Sequence, residues 1–324
     1  MKGHWVVMGW LLLGLVACES PEFLPSEIPF PKDNPSSKEK IALGRALFFD
    51  KRLSKDGTLA CADCHRPEFA FTDRRARSQG INGLLAERNA PSLLNSAFLE
   101  TVMFDAHLKT LELQVIVPIQ EPTEMGHNMK ELIPKLRQIP EYQQAAQAIF
   151  NRDFDAWVLT RSIAAFERSL FSFNSPYDRY VRGNKKAMSE DQIAGMQLFN
   201  GLYCVNCHPA PYFTTFKAAN NGLVSANMSD KGRFRVTLDS ADIGFFKIPS
   251  LRNVALTYPY MHDGSKKNLD EVLNHYVKGG NSTKGQHPGI TTLALTVKER
   301  QQLISFLEAL TDTSYMKYFR HEPN

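Results

Sequence analysis

Long apolar runs are nearly absent from this 324-residue chain. The longest, Trp5 to Val16, is too short to span a bilayer comfortably. Charge of one sign is scarce as well: the formal net charge is +4, and no basic run is long enough to follow a phosphate backbone, so nucleic acid is not expected as a partner. No stretch sustains polar and apolar alternation, which leaves a mainly α chain. Cysteine is limited to five residues, and four of them fall into one repeated spacing. With the fifth at Cys18, no thiol is left for a structural disulfide. What remains, 43% hydrophobic and 22% charged residues, is a globular composition at a length that allows two domains.

The repeated spacing is Cys61-Ala62-Asp63-Cys64-His65, which returns as Cys204-Val205-Asn206-Cys207-His208. Two thiols add across the vinyl groups of a haem, and the histidine that follows is placed to ligate the iron. A zinc or dithiol site would explain the cysteine pairs but not a histidine after both, so the chain reads as a carrier of two covalently bound c-type haems. The segment before each motif repeats too. Ser36-Ser37 caps a helix with Glu39 in its first turn and Ile41, Leu43, Ala46 and Leu47 on one face; Ser189 with Gln192 makes a capping box ahead of Ile193, Met196 and Phe199. Gly44-Arg-Ala-Leu-Phe48 aligns with Gly195-Met-Gln-Leu-Phe199, although Phe48 precedes its motif by 13 residues and Phe199 by 5. A duplication with a loop inserted in the first copy accounts for both. Helices are expected over Met129 to Leu136, Glu141 to Phe150, Phe154 to Phe171 and Asn268 to Gly279. A last one, capped by Thr296 and Glu299 and burying Ile304, Leu307 and Leu310, is expected to pack on the Ser189 helix.

The chain therefore divides into residues 1–17, a secretory signal; 18–35, a proline-rich tether; 36–180, a first haem domain; and 181–324, a second. Leu15-Val16-Ala17-Cys18 resembles the lipobox of bacterial lipoproteins, which implies acylation at Cys18 and attachment to a membrane on the periplasmic side, the outer membrane being favoured. Loss of Lys2 with the signal and the addition of four haem propionates bring the charge to about −1.

The chemistry of each haem depends on its sixth position. Between His65 and Met103 there is no histidine or methionine, so the first iron is expected to be open. A carboxylate above an open iron can move a proton from the inner to the outer oxygen of peroxide. Glu124, with Gln114 ten residues before it, is a candidate, although spacing alone does not raise either above an ordinary polar residue. After His208 the candidates are Met228, Met261, His262, His275 and Tyr276. Tyr276 falls on the apolar face of its helix with Leu269, Val272 and Leu273, where a tyrosine is ordinarily core.

These residues resemble the bacterial di-haem cytochrome c peroxidase and MauG family from Ala42 to Leu310. The resemblance is carried by Ala42-Leu-Gly-Arg-Ala-Leu-Phe-Phe-Asp50, Ala70-Phe-Thr-Asp73, Arg88-Asn-Ala-Pro-Ser92, Glu124-Met-Gly126, Lys247-Ile-Pro-Ser-Leu-Arg-Asn253 and Tyr258-Pro-Tyr-Met-His-Asp-Gly264. It implies two cytochrome c-like domains around a calcium ion held by Asn89 and the backbone oxygens of Thr257 and Pro259. It implies hydrogen peroxide as oxidant, a small cytochrome c or copper protein as electron donor, and a homodimer as one arrangement. Glu124 falls on the family's catalytic glutamate, Gln114 on its distal glutamine and Tyr276 on the second haem's ligand, with His275 competing. The missing histidine after the first motif implies a first haem open without reductive activation. Phe104-Asp105-Ala106-His107 stands where relatives usually carry Trp-Asp-Gly-Arg, which weakens electronic sharing between haems. A MauG-like oxidase of a protein substrate and a non-enzymatic electron carrier are the rival expectations.

Overall fold

The computed structural model describes residues 24–223 and 229–319, so Cys18, the signal and Met228 lie outside the described residues. Helices dominate, and the described strands are a single antiparallel pair, Ala218–Ala219 with Phe246–Lys247. No helix among the described residues is long and apolar enough to cross a membrane.

The duplication is visible as two copies of one helix crossing. Ser37 caps Lys38–Phe48 by accepting from the Lys40 N–H, and this helix lies across Ala156–Arg168. Ser189 and Gln192 form the capping box of Glu190–Gly201, which lies across Val297–Ala309, itself boxed by Thr296 and Glu299. Each crossing turns on a glycine. A Cβ on Gly44 would run into the Ser162 carbonyl and the Phe166 Cβ, and one on Gly195 into the Gln302 carbonyl and the Phe306 Cβ. Close approach of the backbones then seats Phe48 on Phe166 at 5.0 Å and Phe199 on Phe306 at 5.2 Å between ring centroids. The buried face of Lys38–Phe48 is Leu43, Gly44, Leu47 and Phe48; Ala46, assigned to that face from the sequence, is exposed because the crossing is centred on Gly44. In the last helix Leu303 and Phe306 share the buried face with Leu307.

Two large apolar cores result, with a small third cluster of Val102, Leu111 and Ala164. One gathers residues 43–170 around Leu47, Phe48, Phe71, Ile119, Leu159 and Ile163. The other gathers Tyr177, Phe199, Phe213, Phe306 and Leu310. The chain's end crosses back: Tyr315 is buried in the first core, and Met316 and Phe319 pack against it. The proline-rich segment is also partly anchored, since Asn34 is fully buried and joins the Glu112 carboxylate, the Arg161 carbonyl and the Lys40 ammonium. Ser172, between the cores, is held from both sides. Its N–H donates to Asn95 Oδ1, its hydroxyl accepts from Asn253 Nδ2, and Asn95 and Asn253 are both left-handed, at φ 62° and 59°.

Candidate functional site

The first motif starts as a helical turn, Cys61–Cys64, with the His65 N–H on the Cys61 carbonyl at 2.9 Å. In the second, the His208 N–H bonds the Cys204 carbonyl at the same distance. The imidazoles are then oriented alike: Nδ1 donates to the Phe71 carbonyl at 2.9 Å in one and to the Phe213 carbonyl at 3.0 Å in the other. An imidazole whose Nδ1 carries the donated proton keeps its Nε2 lone pair for a metal. Burial holds both histidines below their ordinary pKa, hence neutral.

Phe71 and Phe213 make this geometry, and the sequence reading assigned neither to a site. Both have positive φ, 60° and 53°, a conformation disfavoured for a bulky side chain and held here because each ring is sunk in a core. Ser92 and Ser250 hydroxyls fix the preceding residues by donating to the Ala70 and Tyr212 carbonyls, each at 2.6 Å. Two signals marked this in the sequence: a Phe-Thr pair after each motif, and Asn89-Ala-Pro-Ser-Leu-Leu-Asn95 repeated as Lys247-Ile-Pro-Ser-Leu-Arg-Asn253. None of the four motif cysteines is in a disulfide. Burial pushes Cys64 up to about 12 and Cys204 to about 11. Paired cysteines beside an oriented neutral histidine fit covalent haem at both places.

The distal sides differ. In each half a left-handed methionine, Met103 at φ 67° and Met261 at φ 71°, precedes a one-bridge turn, Val102 with Leu108 and Tyr260 with Lys266. A capped helix follows. Thr110 caps Leu111–Gln114, which runs through Val115 into Ile116–Gln120, and Asn268 caps Leu269–Val277. Eight residues beyond the cap stand Pro118 in the first half and Tyr276 in the second. A tyrosine can ligate iron; a proline side chain cannot. Burial raises the Tyr276 pKa, its hydroxyl meets the Asn221 side chain, and Cys207 and Cys204 both bear on it, which puts the phenol at the second motif. His275 faces elsewhere, with Nε2 on the Asn221 carbonyl at 2.9 Å. Met261 receives the Asn221 amide, and His262 stacks on Phe246 at 3.9 Å.

Gln114 lies four residues before Pro118, on the same helical face, half-buried and with no side-chain hydrogen bond among the described residues. Glu124 sits on the loop that follows. Its own N–H and that of Gly126 return to the Glu121 carbonyl, while its carbonyl accepts from the Ile81 N–H at 2.9 Å and Met125's from Lys55 at 3.0 Å. Gly80 has no room for a Cβ against the Thr123 carbonyl, so the two loops are pressed together. The carboxylate has no hydrogen-bond donor among the described residues. Burial, and secondarily the charge of Glu121, raises its pKa to about 7, and its charge bears on Cys64.

Between the halves, the Asn89 amide nitrogen lies 2.8 Å from the Arg75 carbonyl and 3.3 Å from that of Pro259. Turning that amide over presents its oxygen to the same space. No cluster of three acidic, histidine or cysteine side chains suited to a metal occurs among the described residues, so a cation there would be held by neutral oxygens. Phe104 lies beside Arg88, and its carbonyl accepts from the Lys247 N–H at 2.7 Å. His107 is partly buried, with no partner for Nδ1 among the described residues.

The fold and the two motif sites define a mainly helical protein with two covalently attached haems. Residues 38–186 match the di-haem cytochrome c peroxidase family. The chain is 35% identical to the methylamine utilization protein MauG of Methylorubrum extorquens, over 88% of this chain and 82% of that one. It is equally identical to the cytochrome-c peroxidase IdrP1 of a Pseudomonas species, over 88% and 84%. A solved MauG-like protein associated with microbial copper homeostasis superposes with a TM-score of 0.85 at 35% identity, covering 90% of this chain and 96% of that one. This chain belongs to the di-haem cytochrome c peroxidase family.

Proposed function

We propose that the protein reduces hydrogen peroxide to water at its first haem, with electrons that enter through its second from a small exported cytochrome c or copper protein. One observation carries this reading: the same helical position holds Pro118 in the first half and Tyr276 in the second. When bound, the first haem offers an open iron to peroxide and the second relays electrons. Glu124, ionised, takes the proton from the inner peroxide oxygen and hands it to the outer one, and the Gln114 amide orients the peroxide by hydrogen bonding. Two electrons and two protons then account for the second water. Low polarity around Glu124, which lifts its pKa to about 7, suits a group that must both accept and return a proton.

The reading extends to the setting. Asn89 and the Thr257 and Pro259 carbonyls would hold calcium between the haem domains, a donor set suited to a hard cation. Cys18 would carry the lipid that keeps the protein at a membrane on the periplasmic side. A second reading, oxidation of a protein substrate, is favoured by Tyr276 and by the names of the MauG relatives, and Phe104 speaks against it because phenylalanine is hard to oxidise.

Electron paramagnetic resonance of the fully oxidised holoprotein is the test. One high-spin and one low-spin iron are expected, together with peroxide-dependent oxidation of reduced cytochrome c. Two low-spin irons would close the first site and overturn the proposal. Crosslinks or radicals in a partner protein, without donor turnover, would favour the second reading.

A further inference from the structure

Glu167, near the end of the Ala156–Arg168 helix, is 4% exposed, and its Oε2 meets no hydrogen-bond donor among the described residues. A buried carboxylate normally has an arginine or a cluster of N–H groups beside it. The groups around it are committed elsewhere. Arg168 donates both guanidinium nitrogens to Glu112, at 2.6 and 2.8 Å, and Asn34 joins the same carboxylate. From the Ser96–Phe98 turn the Ser96 hydroxyl arrives, but it donates to the Glu167 carbonyl. From Lys38–Phe48, packed along the same helix, Lys40 goes to Asn34 and Pro35, and Arg45 reaches the Tyr318 carbonyl.

What Glu167 does face is the first haem attachment. Its charge bears on the Cys61 thiol more than that of any other residue, Cys64 included. Glu124 bears on Cys64, second to Asp73; Asp73 and Asp63 each accept a backbone N–H, whereas Glu167 and Glu124 have no donor among the described residues. The second motif has no counterpart: no carboxylate acts on Cys204 or Cys207. With haem attached at Cys61, Glu167 would be the carboxylate acting most directly on that attachment.

We propose that Glu167 is a proton-binding site of the first haem, taking up one proton from water when one electron enters that haem and releasing it when the electron leaves. Electron entry removes the positive charge of the ferric centre, and in a medium of low polarity that change favours the neutral acid strongly. Burial, opposed by Arg168 and reinforced by Glu112, sets the Glu167 pKa to about 8 without the haem's charge; the positive ferric centre would pull it down, and loss of that charge on electron entry would let it rise again across neutrality. The pairing of one proton with each electron matches the overall reduction of peroxide to two waters. The inference rests on the first motif carrying haem; it does not require the peroxidase reading, because no peroxide enters its test.

The test is a spectroelectrochemical titration of the first haem in the holoprotein between about pH 6 and about pH 9, with Glu124→Gln as background to silence the neighbouring carboxylate. A midpoint that falls with rising pH, approaching about 59 mV per tenfold change in proton activity, is expected, and adding Glu167→Gln should flatten it. A slope that survives in the double variant, or none in Glu124→Gln alone, overturns the proposal. If Glu167→Gln fails to take up haem, redox-triggered infrared difference spectra of Glu124→Gln decide. A deuterium-sensitive carboxylic acid band must appear on reduction, and its absence also overturns the proposal.

Discussion

Glu124 combines three properties that ordinary stability would not select: partial burial, no donor, and a loop clamped by Ile81, Lys55 and Gly80. Its raised pKa has a definite sign in both stability and rate. A carboxyl group that titrates near 7 folded and near 4.3 unfolded contributes stability below about pH 4.3, which is lost as pH rises through about 7. The ionised base that catalysis needs grows over that same rise. Peroxide turnover is therefore expected to climb through about pH 7 to a plateau. Glu124→Gln should abolish the climb and lower the rate about 10²- to 10⁴-fold, while the variant melts no lower than the parent above pH 7. Stopped-flow kinetics across pH, paired with thermal melts, check both halves, and an unchanged rate removes Glu124 from its proposed role.

At the scale of elements, the two glycine-centred crossings govern how the motifs are held, because each seats a phenylalanine against the ring whose carbonyl orients the histidine. Phe48 lies 6.3 Å from Phe71, and Phe199 lies 6.3 Å from Phe213. Gly195→Ala sets two effects against each other. Alanine gains about 1 kcal/mol of helix propensity, whereas overpacking against the Gln302 backbone costs about 1 to 3 kcal/mol. Since the obstacle is a carbonyl within a helix and not a flexible side chain, the loss should win, lowering the melting temperature and weakening the second haem's axial ligation more than the first's. Visible and magnetic circular dichroism measure the latter. Here the sequence was legible in part. Caps, helix spans, the Gly44 and Gly195 alignment and both haem motifs follow from local chemistry, and helix periodicity put Tyr276 inward. Phe71, Phe213 and Pro118 were not read, since their roles depend on where a carbonyl or a missing ligand falls after the chain has closed around the haem. Ala46 was misassigned because a glycine crossing shifts the buried stripe off the apolar one.

The whole molecule works only if its halves keep their relation, and beside the apolar crossing of Tyr315, Met316 and Phe319 that relation is written in charged and backbone contacts. Arg88 binds Asp105 at 2.8 Å in its own half and Asp230 at 2.6 Å in the other, with its side chain 12% exposed. Arg233 reaches back to the Asp105 and Ala106 carbonyls, Arg235 pairs with Glu87, and the Asn89 N–H meets the His262 carbonyl at 2.8 Å. Removing Arg88 leaves two largely buried carboxylates facing each other. Such a loss costs about 3 to 5 kcal/mol, far above the weight of the exposed Arg235 pair. Burial alone would raise the Asp230 pKa, but the Arg88 bonds and the Gly232 N–H hold it below the usual range. Its contribution to stability is thus present above the unfolded carboxylate pKa and is lost as pH falls through the depressed folded value. Arg88→Ala should bring that acid loss to higher pH, and because the contacts removed lie between the halves, it should split one cooperative unfolding transition into two. Denaturant melts of the holoprotein, followed by haem absorbance and by far-ultraviolet circular dichroism, should coincide for the parent and separate for Arg88→Ala. Coincident transitions in both would mean that the Ser172 and Tyr315 crossings alone are enough to keep the halves together.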